Sequence, residues 1–340
     1  MKRISIIHTG GTFSMQPDDE GLLAPGNYAL DYIQKTVPPL FNAELRQKQL
    51  FNLDSSLFRP EHWVAIAREI CETYDDYDGF VVVHGTDTMA YTASALSFFL
   101  KNLEKPVVLT GSQIPLTMKR SDALGNLIAA VEVAHSSDIK EVAVQFNNTV
   151  FRGNRTKKKT ASDFDAFYSP NYRPLIQLGI VMEQFHNRFF HSPAGVFEID
   201  TRLDPHVLLV PIFPGFDFST IIPTVQEGRT KGLVVEAYGS GNVPSDDPGL
   251  EEFFKAAADM KVPVAVCSQS PMGKVNLKLY KVASRADYYG LISAVDMTRE
   301  ATIVKLMVAL GRFSDLKKIK QFMQLNIAGE KEDEGPAERA

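Results

Sequence analysis

Phe80-Val81-Val82-Val83-His84-Gly85-Thr86-Asp87-Thr88 decides how the rest of the chain is read. Its opening apolar run, rich in β-branched residues, suits a strand covered on both faces of a parallel sheet. The polar residues after it read as the turn at the strand's carboxyl end. Ile4-Ser5-Ile6-Ile7, followed by Thr9-Gly10-Gly11-Thr12, repeats the arrangement near the start. Open α/β sheets bind ligands in the crevice beyond the carboxyl ends of their strands. The two turns are therefore expected to face one crevice. Glycine lets the backbone approach a small ligand closely, and threonine puts a hydroxyl beside it. A phosphate cradle would need G-x-G-x-x-G or a following Gly-Lys-Ser/Thr, and neither is present. Two hydroxyl-rich turns suggest a nucleophile and an activating group.

Working outward, short apolar strands are expected at Val107–Thr110 and Val142–Phe146, with another near Leu50–Leu53. Helical stripes lie between them: Pro60 to about Tyr74 (Trp63, Ile66 and Ile70 on one face), Thr88–Leu100 and Asp122–His135. Such alternation implies βαβ units with right-handed crossovers. From Gln177 to Pro205 the periodicity loosens, and a linker is expected over 189–206. The alternation then resumes, with strands at Val207–Phe213, Leu233–Ala237 and Val264–Ser268 and helices at Leu250–Met260 and Arg299–Leu310. The expected fold is two α/β domains. The larger, N-terminal one (1–188) has a mostly parallel sheet flanked by helices, and the smaller, C-terminal one (207–328) a parallel sheet. The charged, apolar-poor stretch 329–340 reads as a disordered tail.

Composition narrows the function classes. A hydrophobic fraction of 44% with 23% charged residues is that of an ordinary soluble protein. The net charge of −5 argues against nucleic acid and acidic membrane surfaces as main partners. Cys71 and Cys267 each sit in an apolar stretch and read as buried structural thiols. No run reaches the ~18 apolar residues a membrane helix requires, and Met1-Lys2-Arg3 leads straight into a strand. A cytoplasmic location is expected.

Four clusters fall at strand carboxyl ends: Thr12, Asp54-Ser55-Ser56, Thr86-Asp87 and Gly111-Ser112-Gln113. They bring hydroxyls, carboxylates and backbone N–H groups to one place. No metal is expected, because His8 and His84 lack a third ligand at suitable spacing. A threonine hydroxyl is a poor nucleophile until a base or positive field acts on it. One lysine of Arg152-Gly153-Asn154-Arg155-Thr156-Lys157-Lys158-Lys159, folded inward beside Thr86 and Asp87, would form a Thr-Lys-Asp relay. The competing readings are a solvated basic loop, a plain tight turn at Thr9–Thr12, and a helix N-cap at Thr86–Thr88.

The combination resembles the bacterial-type L-asparaginases. Thr9-Gly10-Gly11-Thr12 and His84-Gly85-Thr86-Asp87-Thr88-Met89-Ala90-Tyr91-Thr92-Ala93 look like that family's two signature motifs. Thr110-Gly111-Ser112-Gln113-Ile114-Pro115, Arg152-Gly153-Asn154-Arg155-Thr156 and Asp296-Met297-Thr298 resemble its cytoplasmic, type I branch. The similarity extends to about Gly329. It implies hydrolysis of L-asparagine to L-aspartate and ammonia, without a cofactor, by a homotetramer built from intimate dimers.

By position, the resemblance makes Thr12 the nucleophile, and Thr86, Asp87 and Lys158 the second catalytic group. Lys158 is chosen because the family's lysine falls in this register after Arg-Gly-Asn-Arg. Asp54, Ser55 and Ser56 would hold the substrate's α-carboxylate and α-ammonium, with Thr86 and Asp87 also facing it. Asn242 matches a residue that a partner subunit contributes. Backbone N–H groups near Gly11 and Thr86 could stabilise the oxyanion, worth ~3 kcal/mol each. Many members carry a tyrosine on the loop after the first motif, here the Gly- and Pro-containing lid Phe13–Gly26, where Leu22 takes its place. Tyr280 is the expected substitute and Tyr28 the next. Rival readings are an amidohydrolase for glutamine or an aminoacyl-tRNA amide, and a non-catalytic amino-acid sensor. The tRNA-dependent amidotransferases share these motifs but carry an N-terminal extension, which is not expected here. A sensor would have no need to keep Thr12, Thr86, Asp87 and Lys158 together.

Overall fold

The computed structural model describes residues 1–17, 20, 23–25, 33, 43–192, 195–277 and 289–333. Strand β1 (Lys2–Gly10) runs through the interior, with Ile4, Ile6 and Ile7 fully buried. It lies parallel to β2 (Ala43–Leu53) on one side and to β3 (Gly79–Val83) on the other. Helix α1 (Pro60–Glu72) starts on its proline and buries Trp63, Ile66 and Ile70, the expected stripe. Helix α2 (Met89–Phe99) is buried on nearly every side, and Ser94 and Ser97 bond back to the carbonyls of Ala90 and Ala93. That return bond is how a hydroxyl survives inside a buried helix.

Next come β4 (Val107–Thr110), helix α3 (Ala123–Ser136) and β5 (Val142–Phe146). The sheet order is β2-β1-β3-β4-β5, all parallel, extended by antiparallel β6 (Thr149–Arg152), β7 (Ile176–Leu178) and β8 (Met182–Gln184). The expected mostly parallel sheet is present, with an antiparallel margin that periodicity did not reveal. Asn147, at φ 53°, makes the two-residue turn from β5 into β6. Each buried valine or isoleucine of these strands contributes about 1.5–3 kcal/mol. Chain order jumps across β1, so the topological switch point falls between β1 and β3. Ligand crevices form at such points.

A second compact unit begins at Arg202, inside the stretch read as a linker; within that stretch Glu198–Ile199 pairs with Leu100–Lys101 of the first unit. Its sheet is parallel throughout, in the order β9 (Val207–Pro211), β10 (Gly232–Ala237), β11 (Val264–Ser268), β12 (Ile292–Ser293). Helices α4 (Pro248–Asp259), α5 (Arg299–Arg312) and α6 (Leu316–Gln324) accompany it. Thr298, of the Asp296-Met297-Thr298 motif, caps α5 by accepting the Ala301 N–H.

Two expectations need correction. The stretch after Gly329 is not a solvated tail at its start, because Glu330 and Lys331 are buried. The Glu330 carboxylate pairs with the Lys305 ammonium of α5, which also donates to the carbonyls of Met323 and Leu325. Charge alone suggested solvation; a buried partner of opposite sign reverses that. Cys267 is buried, but Cys71 is partly exposed; neither is in a disulfide. Among the described residues no helix is long and apolar enough to cross a membrane.

Candidate active site

The turns after β1 and β3 press directly on each other. Gly11 has φ 75°, and a Cβ there would lie 2.3 Å from the Gly85 Cα. A Cβ on Gly85 would in turn lie 2.6 Å from both Cβ and Oγ of Ser55. The turns after β1 and β3 therefore meet backbone to backbone, with the Ser55 side chain packed on Gly85, an approach that only glycine permits. Hydrogen bonds lash them together. The Gly11 N–H donates to the Leu53 carbonyl at 2.7 Å, the Thr9 hydroxyl to the Val83 carbonyl at 2.9 Å, and the Thr88 hydroxyl to the Ser55 carbonyl at 2.8 Å.

These bonds sort the four threonines of the two turns, Thr9, Thr12, Thr86 and Thr88. Thr9 and Thr88 are ties between loops. Thr12 and Thr86 are left. Thr12 is partly exposed at the start of a short 3-10 turn, Thr12–Ser14, and Thr86 lies at the bottom of the neighbouring turn. The N–H of Gly11 is already engaged, so it is no oxyanion donor.

The basic run does not form a solvated loop. Arg152, Asn154, Arg155 and Thr156 are all buried. Arg152 pairs with buried Glu141 through Nε at 2.6 Å, and both Arg152 and Arg155 lie against the Tyr172 ring. This fixes the start of the short strand Lys157–Lys158, which pairs with Phe167–Tyr168. Successive side chains of a strand point to opposite faces, so only one of these two lysines can turn inward. Lys158 does. Its Nζ lies 2.7 Å from the Thr86 hydroxyl and 2.7 Å from Asp87 Oδ1. Its side chain is 20% exposed, against 64% for Asp87. Lys159 pairs instead with Asp165.

Asp54 caps the turn Ser55–Leu57 by accepting the Ser56 N–H at 2.7 Å, Ser55 is buried under Gly85, and Ser56 is exposed. Asn242 is exposed in the second unit, where it closes a bridge with Tyr238. Of the expected lid, Met15–Pro17 pairs with Leu23–Pro25 as an antiparallel ribbon. Leu22, Tyr28 and Tyr280 lie outside the described residues. Asp122 escaped the sequence reading as a site element. Its carboxylate accepts the N–H groups of Gln113 and Ile114 and fixes the loop after β4. The only signal was an aspartate placed just before a helix. Among the described residues no group of three or more His, Cys, Asp or Glu is arranged to hold a metal ion.

His84 is fully buried beneath the second motif. Its Nδ1 faces the Gly85 carbonyl at 2.7 Å and must donate, so Nε2 is bare and accepts the Thr92 hydroxyl at 2.9 Å. Burial pushes its pKa down to about 4, although the Gly85 carbonyl favours the proton. Burial likewise lowers His8 to about 4, against the opposing pull of Gln47. The unfolded imidazoles bind protons near 6.5 and the folded ones only near 4. Between those values the unfolded chain holds more protons, so stability falls as pH drops through the window. Across that window each histidine accounts for about 3 kcal/mol of stability. Urea midpoints from pH 7 to pH 4 should fall less steeply for His84→Gln than for wild type; parallel curves would refute a neutral His84.

Comparison with known proteins agrees with the geometry. The model of the asparaginase N-terminal domain matches residues 3–189, and that of the glutaminase/asparaginase C-terminal domain matches 206–323. L-asparaginase 1 of Escherichia coli strain K12 is 39% identical over 333 residues, covering 97% of this chain and 98% of that protein. The solved structure of the thermostable L-asparaginase from Thermococcus kodakarensis superposes with a TM-score of 0.90 at 35% identity, covering 98% of this chain and 100% of the other. One of the subunits of a glutamyl-tRNA(Gln) amidotransferase, from Pyrococcus furiosus, is 37% identical over 338 residues, covering 96% of this chain but 76% of that protein. With both domain models matched and two whole-length relatives above 30% identity, the chain belongs to the asparaginase family.

Proposed function

We propose that this protein is an L-asparaginase that hydrolyses L-asparagine to L-aspartate and ammonia through an acyl-enzyme on Thr12. The observation that carries the reading is Lys158 Nζ at 2.7 Å from both the Thr86 hydroxyl and Asp87, beside the loop that bears Thr12. The Thr12 oxygen adds to the side-chain carbonyl carbon of asparagine, and its proton passes to the departing nitrogen, which leaves as ammonia. An aspartyl ester remains on Thr12. Water then adds to the ester, and the carbon–oxygen bond breaks to give aspartate and restore the hydroxyl. Two lower barriers replace one high one. Thr86, Lys158 and Asp87 serve the proton transfers, and the N–H of Thr86 is the candidate oxyanion donor.

Asp54, Ser55, Ser56 and Asp87 hold the zwitterionic end of the substrate, since a ligand bearing both charges needs partners of both signs. Asn242 closes the site from a second copy, in a homotetramer of intimate dimers. The reaction needs no cofactor, and the two cysteines outside any disulfide fit a cytoplasmic location.

Glutamine is the competing substrate. One methylene is worth only ~1–3 kcal/mol, so glutamine should be hydrolysed roughly 10- to 200-fold less well by kcat/KM. Ammonia release against concentration, for both amides, tests the reading. Saturable release from asparagine is expected. Binding of asparagine or aspartate without turnover would make the protein a sensor, and release from glutamine alone would move it toward the amidotransferase relatives.

A further inference from the structure

We propose that Gln113 is a positioning residue that fixes which way the Thr86 hydroxyl points. The proposal rests on the reading of Thr86, Lys158 and Asp87 given above. The Gln113 backbone is clamped, because its N–H and that of Ile114 donate to the Asp122 carboxylate at 3.0–3.1 Å. Asn126 Nδ2 braces the clamp, donating to Asp122 at 3.0 Å and to the Gly111 carbonyl at 2.9 Å. The side-chain amide therefore projects from a fixed point.

Its orientation follows from what surrounds it. Gln113 Nε2 faces two backbone carbonyls, Asp163 at 3.0 Å and Thr160 at 3.5 Å. A carbonyl only accepts, so the amide nitrogen must lie on that side and Oε1 on the other. Oε1 is 3.3 Å from the Thr86 oxygen, and an amide oxygen also only accepts. Thr86 must donate to it. From the other side the Lys158 ammonium donates to Thr86 at 2.7 Å. The chain of donors runs in one direction, Lys158 to Thr86 to Gln113.

This leaves one lone pair of Thr86 for the crevice, while the Thr86 proton is held on Gln113. Thr86 thus meets an incoming O–H as an acceptor. Without the Gln113 oxygen the hydroxyl rotates freely and in part turns its proton toward the crevice, where it opposes the proton of attacking water. The loss falls on turnover rather than on binding.

Two variants separate this role from simple loop anchoring. Gln113→Met removes both ends of the amide at similar length. Gln113→Glu keeps an acceptor for Thr86 but cannot donate to Asp163 and Thr160. Gln113→Met should lower kcat for asparagine about tenfold with KM within about twofold, less than the ~100-fold cost of a misplaced reacting group. Gln113→Glu should restore most of that kcat. A Gln113→Met kcat within twofold of wild type, or a Gln113→Glu variant as slow as Gln113→Met, would overturn the proposal. A neutron structure of the wild-type protein reads the geometry itself, with the Thr86 deuterium expected on the line to Gln113 Oε1. A deuterium pointing elsewhere sinks the idea. Wild-type protein inactive on asparagine would instead refute the reaction proposed above, and the neutron map would still decide the Gln113 orientation.

Discussion

Thr12→Ala should lower kcat for L-asparagine by at least about 10⁴-fold, in line with the loss of an essential nucleophile elsewhere. The prediction is sharp because the other threonines of the two turns are already engaged. Thr9 and Thr88 donate to the carbonyls of Val83 and Ser55, so neither hydroxyl is presented to a substrate. Thr86 is held between Lys158 and Gln113. Thr12→Ser, which keeps the hydroxyl and loses only a methyl group, should retain a measurable rate. Rapid quenching and intact-mass analysis should find an added aspartyl group on wild-type protein and none on Thr12→Ala. If Thr12→Ala kept more than a hundredth of wild-type turnover, the acyl group would have to sit on another residue, with Thr86 first in line.

The second large effect concerns stability. The Lys305 ammonium uses its three N–H bonds on the carbonyls of Met323 and Leu325 and on Glu330. The Glu330 carboxylate accepts from Lys305 and from the backbone N–H groups of Ile327 and Ala328. Both side chains are fully buried. Glu330→Ala would leave an unpaired ammonium inside the second unit and should cost about 3–5 kcal/mol, whereas an apolar replacement of both partners should cost far less. Burial works against the Glu330 charge, but Lys305 and the Ala328 N–H outweigh it and hold the carboxyl below its usual value of 4.5. The Glu330 carboxylate therefore contributes stability above that pH, lost as pH falls through the lowered folded value, whereas burial holds Lys305 below its usual 10.5 despite Glu330 and works against the fold. Urea unfolding of Glu330→Ala, Lys305→Met and the double variant Lys305→Met/Glu330→Leu would check this. Equal losses from all three would show that the clasp matters only as packing.

Much of this was legible from residues alone, for reasons that can be stated. Buried parallel strands are short apolar runs with no alternation, so Phe80–Val83, Val107–Thr110 and Val264–Ser268 stood out and lie where expected. Turns at their ends inherit a location from the strands, which is why Thr12, Thr86 and Asp87 could be assigned to one crevice. The strands Ile176–Leu178 and Met182–Gln184 were invisible, since a strand of three residues at a sheet margin is too short to show a period. The fate of a charged side chain was equally hidden. Arg155, Lys305 and Glu330 look like solvent-facing residues until the partners that bury them are known. The same applies to hydroxyl direction: Thr86 and Thr88 are two residues apart, yet one meets a lysine and the other a carbonyl.

The contact between Gly11 and Gly85 also bears on how this enzyme can be varied. The two positions lie in separate motifs, yet any side chain at the first would occupy the space of the second's backbone. A library that randomises one turn at a time will see position 11 or 85 as wholly intolerant and will report nothing about the chemistry nearby. Changes in crevice shape are better sought at Ser56 or Ser112, which leave that seam intact. A loop grafted into either turn therefore keeps the seam only if it carries glycine at that position.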